Sequence, residues 1–90
     1  MIIFGKIFNM KPAEIDSNYK DFIKCIGKKI KELRKEKNIT YVEMAKKVGL
    51  SKNGYNNIEL GNSNFQFQTL LQILSYHNIT IFDFFESLKG

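Results

Sequence analysis

The sequence predicts an all-α fold of five helices preceded by an apolar N-terminal arm. Three observations lead there. Helix breakers are scarce, with Pro12 the single proline and Gly27, Gly49, Gly54 and Gly61 dividing the middle of the chain. Between those breakers, apolar residues recur at the spacing of one helical face. Most of the segments also open on Ser, Thr or Asp, whose side-chain oxygens can satisfy the free amides of a first turn.

The elements follow in order. Residues 1–10 form the arm, in which Ile2, Phe4, Ile7 and Phe8 are positioned to pack on their own domain or to exchange with a partner chain. Lys11-Pro12 reads as a turn, and Asp16 or Ser17 as the N-cap of the first long helix. This places the arm at residues 1–16 and the folded domain at residues 17–90. The apolar stripe of the first helix is Phe22, Ile26, Ile30 and Leu33, and Lys24, Lys28, Lys31 and Lys35 lie on other faces. Asn38 suits the left-handed position that closes a helix. Thr40 caps the second helix, with Glu43 three residues on as its capping-box partner, and that helix presents Val42, Ala45 and Val48 before stopping at Gly49. Ser51 caps a third helix over residues 52–60, with Tyr55 and Ile58 inward and Gly61 at its end. Residues 62–66 form a loop and residues 69–77 a fourth helix carrying Leu70, Leu71, Ile73 and Leu74. Thr80 caps the fifth, where Ile81, Phe84, Phe85 and Leu88 share a face. No internal repeat or low-complexity tract stands out.

Ninety residues make one domain with a small core. The net charge is +5, but it is unevenly spread. Residues 20–52 hold eleven basic side chains against four acidic ones, a local charge of +7, whereas residues 53–90 come to −2. Such an excess is the electrostatic footprint of a polyanion partner. The single cysteine, Cys25, cannot form an intramolecular disulfide, which fits a reducing compartment. The apolar start is too short to span a bilayer and has no signal-peptide pattern. The expectation is a cytoplasmic protein with no membrane partner.

The segment Ala45-Lys46-Lys47-Val48-Gly49-Leu50-Ser51 carries the functional signal. A short helix, a turn opening on glycine and a capped third helix make the helix-turn-helix plan. Ala45 lets two helix backbones approach, Gly49 takes a positive φ, Leu50 plugs the angle between the helices, and Ser51 caps the next one.

On these residues, positions 27–85 resemble the Cro/C1-type (Xre-like) helix-turn-helix family of phage repressors and small bacterial regulators. Ile26-Gly27-Lys28-Lys29-Ile30-Lys31-Glu32-Leu33-Arg34 is similar to the family's first helix. The run from Ile39 to Ile58-Glu59-Leu60-Gly61 is similar to its second and third. Thr69-Leu70-Leu71-Gln72-Ile73-Leu74 and Ile79-Thr80-Ile81 are similar to the fourth and the start of the fifth. The resemblance implies a lambda-repressor-like domain that binds double-stranded DNA as a homodimer, in a transcriptional regulator, by expectation a repressor on a short operator.

It also implies residue roles. Arg34 would pair with Glu59, tying the first helix to the end of the third. Lys52, Asn53, Asn56 and Asn57 would face base edges in the major groove, where Asn suits adenine and Lys the acceptors of guanine. Phosphate contacts would come from Thr40 and Tyr41, from Asn62 and Asn64, and from Lys28, Lys46 and Lys47. Phe82, off the apolar stripe, and Phe85 would contribute to a dimer contact through the last helix. The chain departs from the family at Tyr41, where Gln is usual, at Gly54, where Ser or Thr is usual, at the apolar Leu60, and at Phe65 in place of proline.

Catalysis has no foothold. His77 and Cys25 are the sole residues of their types, and no acid or oxyanion motif accompanies them. His77 aligns with an apolar family position and reads as a partly buried helix-end residue. No zinc-ligand spacing or phosphate-binding glycine loop is present, so neither metal nor cofactor is expected. Two alternatives accompany the regulator reading. One is a protein-interaction module of the same fold, and the other is the antitoxin of a toxin–antitoxin pair, with a protein partner in addition to DNA.

Overall fold

Capping side chains and left-handed turn residues set most of the helix boundaries in the computed structural model, which describes residues 12–62 and 64–88. The helices are α1 (Pro12–Glu36), α2 (Tyr41–Lys47), α3 (Lys52–Leu60), α4 (Phe67–Tyr76) and α5 (Ile81–Ser87). Among the described residues there is no strand. The expectations for the arm at residues 1–11 lie outside the described residues.

Helix α1 begins earlier than the sequence suggested. Pro12, read as part of a turn, is its first residue, so Asp16 and Ser17 lie inside the helix rather than capping it, and residues 12–16 belong to the helix rather than the arm. Proline is well suited to that place, because its fixed φ matches the helix and its missing N–H is one that has no partner in the first turn. Helix α4 likewise starts two residues before the expected Thr69, at Phe67.

The same three-residue turn is used twice. Asn38-Ile39-Thr40 and Asn78-Ile79-Thr80 each begin with Asn in the left-handed region, at φ 57° and φ 60°. Each ends with a Thr whose Oγ1 accepts the amide N–H three residues on, from Glu43 at 3.1 Å and from Asp83 at 3.0 Å. Asn tolerates positive φ better than other side chains, and Thr is a strong N-cap. Between α2 and α3 the turn is made by Gly49, at φ 76°, and Ser51.

Helices α2 and α5 have only seven residues each and would not persist alone. Their stability comes from a core of Ile26, Ile30 and Leu33 from α1, Met44, Ala45 and Val48, Tyr55 and Ile58 from α3, Leu70, Ile73 and Leu74 from α4, and Phe84 from α5. The buried side of α2 differs from the expected one: Met44 is fully buried whereas Val42 is 36 % exposed. Tyr41, Met44, Ala45 and Val48 follow i, i+3, i+4, i+7, a true helical face, and Val42 lies a third of a turn away. Phe65, at the usual proline site, packs its ring against the core from the loop.

Candidate nucleic-acid interface

Helix α3 is fixed at both ends. Ser51 Oγ accepts the Gly54 N–H at 3.0 Å. At the other end Gly61 turns left-handed at φ 74°, its N–H donating to Ile58 O at 3.1 Å, while the Asn62 N–H donates to Asn57 O at 3.0 Å. Tyr55, Ile58 and Glu59 point inward and are buried. Lys52, Asn53 and Asn57 are exposed on the opposite side, and Asn56 is half-buried at the edge of that face. Three of the four side chains expected to face bases therefore stand free, and Asn56 is partly withdrawn. Their chemistry, a cationic donor and paired amide donors and acceptors, matches the hydrogen-bonding pattern of base edges in a major groove.

The seat of α3 is an ion pair between a half-buried Arg34 and a buried Glu59. Arg34 Nε donates to Glu59 Oε2 at 2.7 Å and its second terminal nitrogen to Oε1 at 3.0 Å, while the remaining nitrogen donates to the Ile39 carbonyl at 2.8 Å. One guanidinium thus holds α1, the turn before α2, and the end of α3. The paired Glu59 raises the Arg34 pKa against the opposing effect of burial. Tyr55 lies close enough for both partners to act on it. Burial first, and then Glu59, raise the pKa of its phenol, whose buried oxygen reaches no hydrogen-bond partner among the described residues.

Two glycines let α1 and α3 come this close. A Cβ built on Gly27 would lie 2.2 Å from Ile58 O and 2.7 Å from Glu59 O, and one on Gly61 would lie 2.8 Å from Lys24 Cα. From the other side, Gln72 on α4 donates its amide to the Val48 carbonyl and so grips the turn that leads into α3.

The residues expected at phosphates are distributed around this helix. Lys28, Lys46, Lys47 and Thr40 are exposed. The Thr40 oxygen already serves as a cap, which leaves its hydroxyl proton to donate. Tyr41 is half-buried, with its ring packed on the core. Asn62 and Asn64 are exposed on the loop after α3, and Asn64 Oδ1 accepts a hydrogen bond from the Tyr19 hydroxyl at 2.9 Å. That bond, together with Lys20 and Lys24 beside it, was not foreseen. It joins residues 45 apart in sequence, and nothing local to either residue signals it.

Elsewhere, Phe82 is 82 % exposed. Phe85, expected to share a dimer contact with it, is half-buried, with its ring 6.0 Å from Phe22 and 5.9 Å from Phe84. Its inward stripe turns it toward the domain. His77 is buried at the end of α4. Among the described residues, no group of His, Cys, Asp and Glu is placed to hold a metal ion, and no helix is long and apolar enough to cross a membrane.

A helix-turn-helix family model matches residues 30–84, a span that takes in α2, α3 and α4 whole, the last part of α1 and the first of α5. No curated protein and no solved structure gives a significant match.

Proposed function

Because the chain belongs to the Cro/C1-type helix-turn-helix family, whose members are DNA-binding regulators, we propose that it binds a short operator as a homodimer and represses by occupying it. The observation that carries this reading is the free face of α3. Lys52, Asn53 and Asn57 project from a helix whose other side is anchored by Arg34 and Glu59. In this reading Lys52 and Asn53 read bases first, Asn57 follows, and Asn56 plays a smaller part. Thr40, Asn62, Asn64 and the lysines at 28, 46 and 47 hold the backbone and fix the register.

Dimerisation is assigned to α5. Phe82 is an apolar side chain left 82 % exposed, and a two-fold pair of domains would engage half-sites about one DNA turn apart.

The test is selection of bound duplexes from a random pool, followed by anisotropy titration of the winning sequence. Lys52→Ala combined with Asn53→Ala should abolish the preference for that sequence while the far-UV helical signal persists. Preserved preference in the double variant would refute the assigned readout. Binding that is insensitive to salt would favour the protein-interaction reading, because phosphate contacts impose a steep salt dependence.

A further inference from the structure

The match to the family begins at residue 30, and the earlier part of α1, residues 12–29, runs past the end of α3. There it forms an open cleft of about 330 Å³ with the loop after α3. We propose that this cleft is a seat for one phosphodiester of the DNA backbone, built by Lys20 and Lys24 on one side and the amides of Asn62 and Asn64 on the other. The proposal rests on the DNA-binding reading above and adds to it residues that lie outside the family match.

The first support is the charge of the lining, which among the described residues contains two lysines and no carboxylate. Lys20 and Lys24 are one helical turn apart, and neither joins an ion pair among the described residues. The second is the orientation of the amide. The Tyr19 hydroxyl donates to Asn64 Oδ1, which occupies the acceptor and leaves the amide nitrogen to donate. Lysine ammonium groups only donate, so donors dominate the rim of the cleft, a pattern that suits an anion. The third is the placement of Lys24, whose stem lies across Gly61 at the end of α3, with Cγ 2.6 Å from where a Cβ on that glycine would be.

Geometry selects the DNA backbone as the source of the anion. Nine residues make α3 about 13 Å long, close to the roughly 12 Å width of the major groove. When the first residues of α3 meet base edges, its far end and the following loop reach the wall of the groove, where the phosphates are.

The experiment compares the unmodified chain with Lys20→Met/Lys24→Met on the selected duplex. Methionine keeps the apolar stem that packs on Gly61. The slope of log K against log salt should become shallower by about 0.9, the loss of one phosphate contact. Ethylation-interference mapping should lose one phosphate per half-site, with the base preference unchanged. Lys20→Gln alone, at an exposed position, should give the same change in direction if the double variant proves poorly folded. An unchanged slope and an unchanged interference map would overturn the seat and leave the DNA reading standing. Failure of the unmodified chain to bind any duplex in a salt-dependent way would overturn both.

Discussion

Gly27→Ala sets helix propensity directly against packing. Alanine is the better helix former, and in an exposed helix interior the exchange would stabilise by about 1 kcal/mol. Gly27 is buried, however, where α1 crosses the end of α3. The added Cβ would sit 2.2 Å from Ile58 O, against the 3.4 Å at which ordinary contact begins, and 2.7 Å from Glu59 O. Both obstacles are backbone, so relief requires the helices to part by on the order of 1 Å. Ile58 O also accepts the Gly61 N–H that closes α3, and Glu59 is gripped by Arg34 from α1. Parting the helices therefore loosens the cap and the ion pair together. Overpacking of this kind costs about 3 kcal/mol at the upper end of the usual range. Set against the propensity gain, the net loss is about 2 kcal/mol, a large share of the roughly 5–13 kcal/mol expected for a domain of this size. The assay is urea and thermal unfolding followed by far-UV circular dichroism. The expected result is a fall in Tm of roughly 8–16 °C. A midpoint equal to or above that of the unmodified chain would refute the close crossing of α1 and α3.

Four further outcomes are expected. Glu59→Gln leaves the part-buried Arg34 charged and without its carboxylate, at a cost of about 3 kcal/mol, the low end for a buried pair; a loss below about 1 kcal/mol in urea unfolding would show the pair to be solvated. Asn38→Ala and Asn78→Ala should each destabilise by about 1 kcal/mol, because alanine resists the left-handed region, whereas glycine should be accepted at both positions; additivity of the two losses checks that the turns act independently. Burial, reinforced by Lys37 and partly opposed by Glu36, holds the His77 pKa below its ordinary value of 6.5. The unfolded chain therefore binds a proton that the folded chain does not, and stability should decline as pH falls below about 6.5. His77→Phe should flatten that slope in urea midpoints measured between pH 5 and 7.5. Phe82→Glu should shift the proposed dimer to monomer in sedimentation equilibrium, and a monomeric unmodified chain at the same concentration would remove α5 as the contact.

The sequence was most readable where structure is decided within a few residues. Thr40, Ser51 and Thr80 cap the helices they precede, and Asn38, Gly49 and Gly61 occupy the left-handed positions. These depend on the reach of one side chain to its own backbone. Pro12 misled because proline is equally at home in a turn and in the first turn of a helix, and only the packed chain decides between them. The burial of Met44 in place of Val42 reflects a phase error over a seven-residue helix, too short for periodicity to fix its face. The contacts that build the candidate interface were the least visible. Arg34 with Glu59 was anticipated through resemblance rather than spacing. Gly27 against Ile58, Gln72 on Val48, and Tyr19 on Asn64 join distant segments and leave no local mark.

The double anchoring of α3 has a consequence for the partner. Gln72 fastens the turn ahead of this helix, while Arg34, Gly27 and Lys24 fasten its trailing half. In the proposed reading, a stamp anchored at both ends leaves little of the fit to its own tilting. Much of the adjustment then falls to the duplex, so sites rich in easily unstacked pyrimidine–purine steps should be favoured even where no side chain touches them.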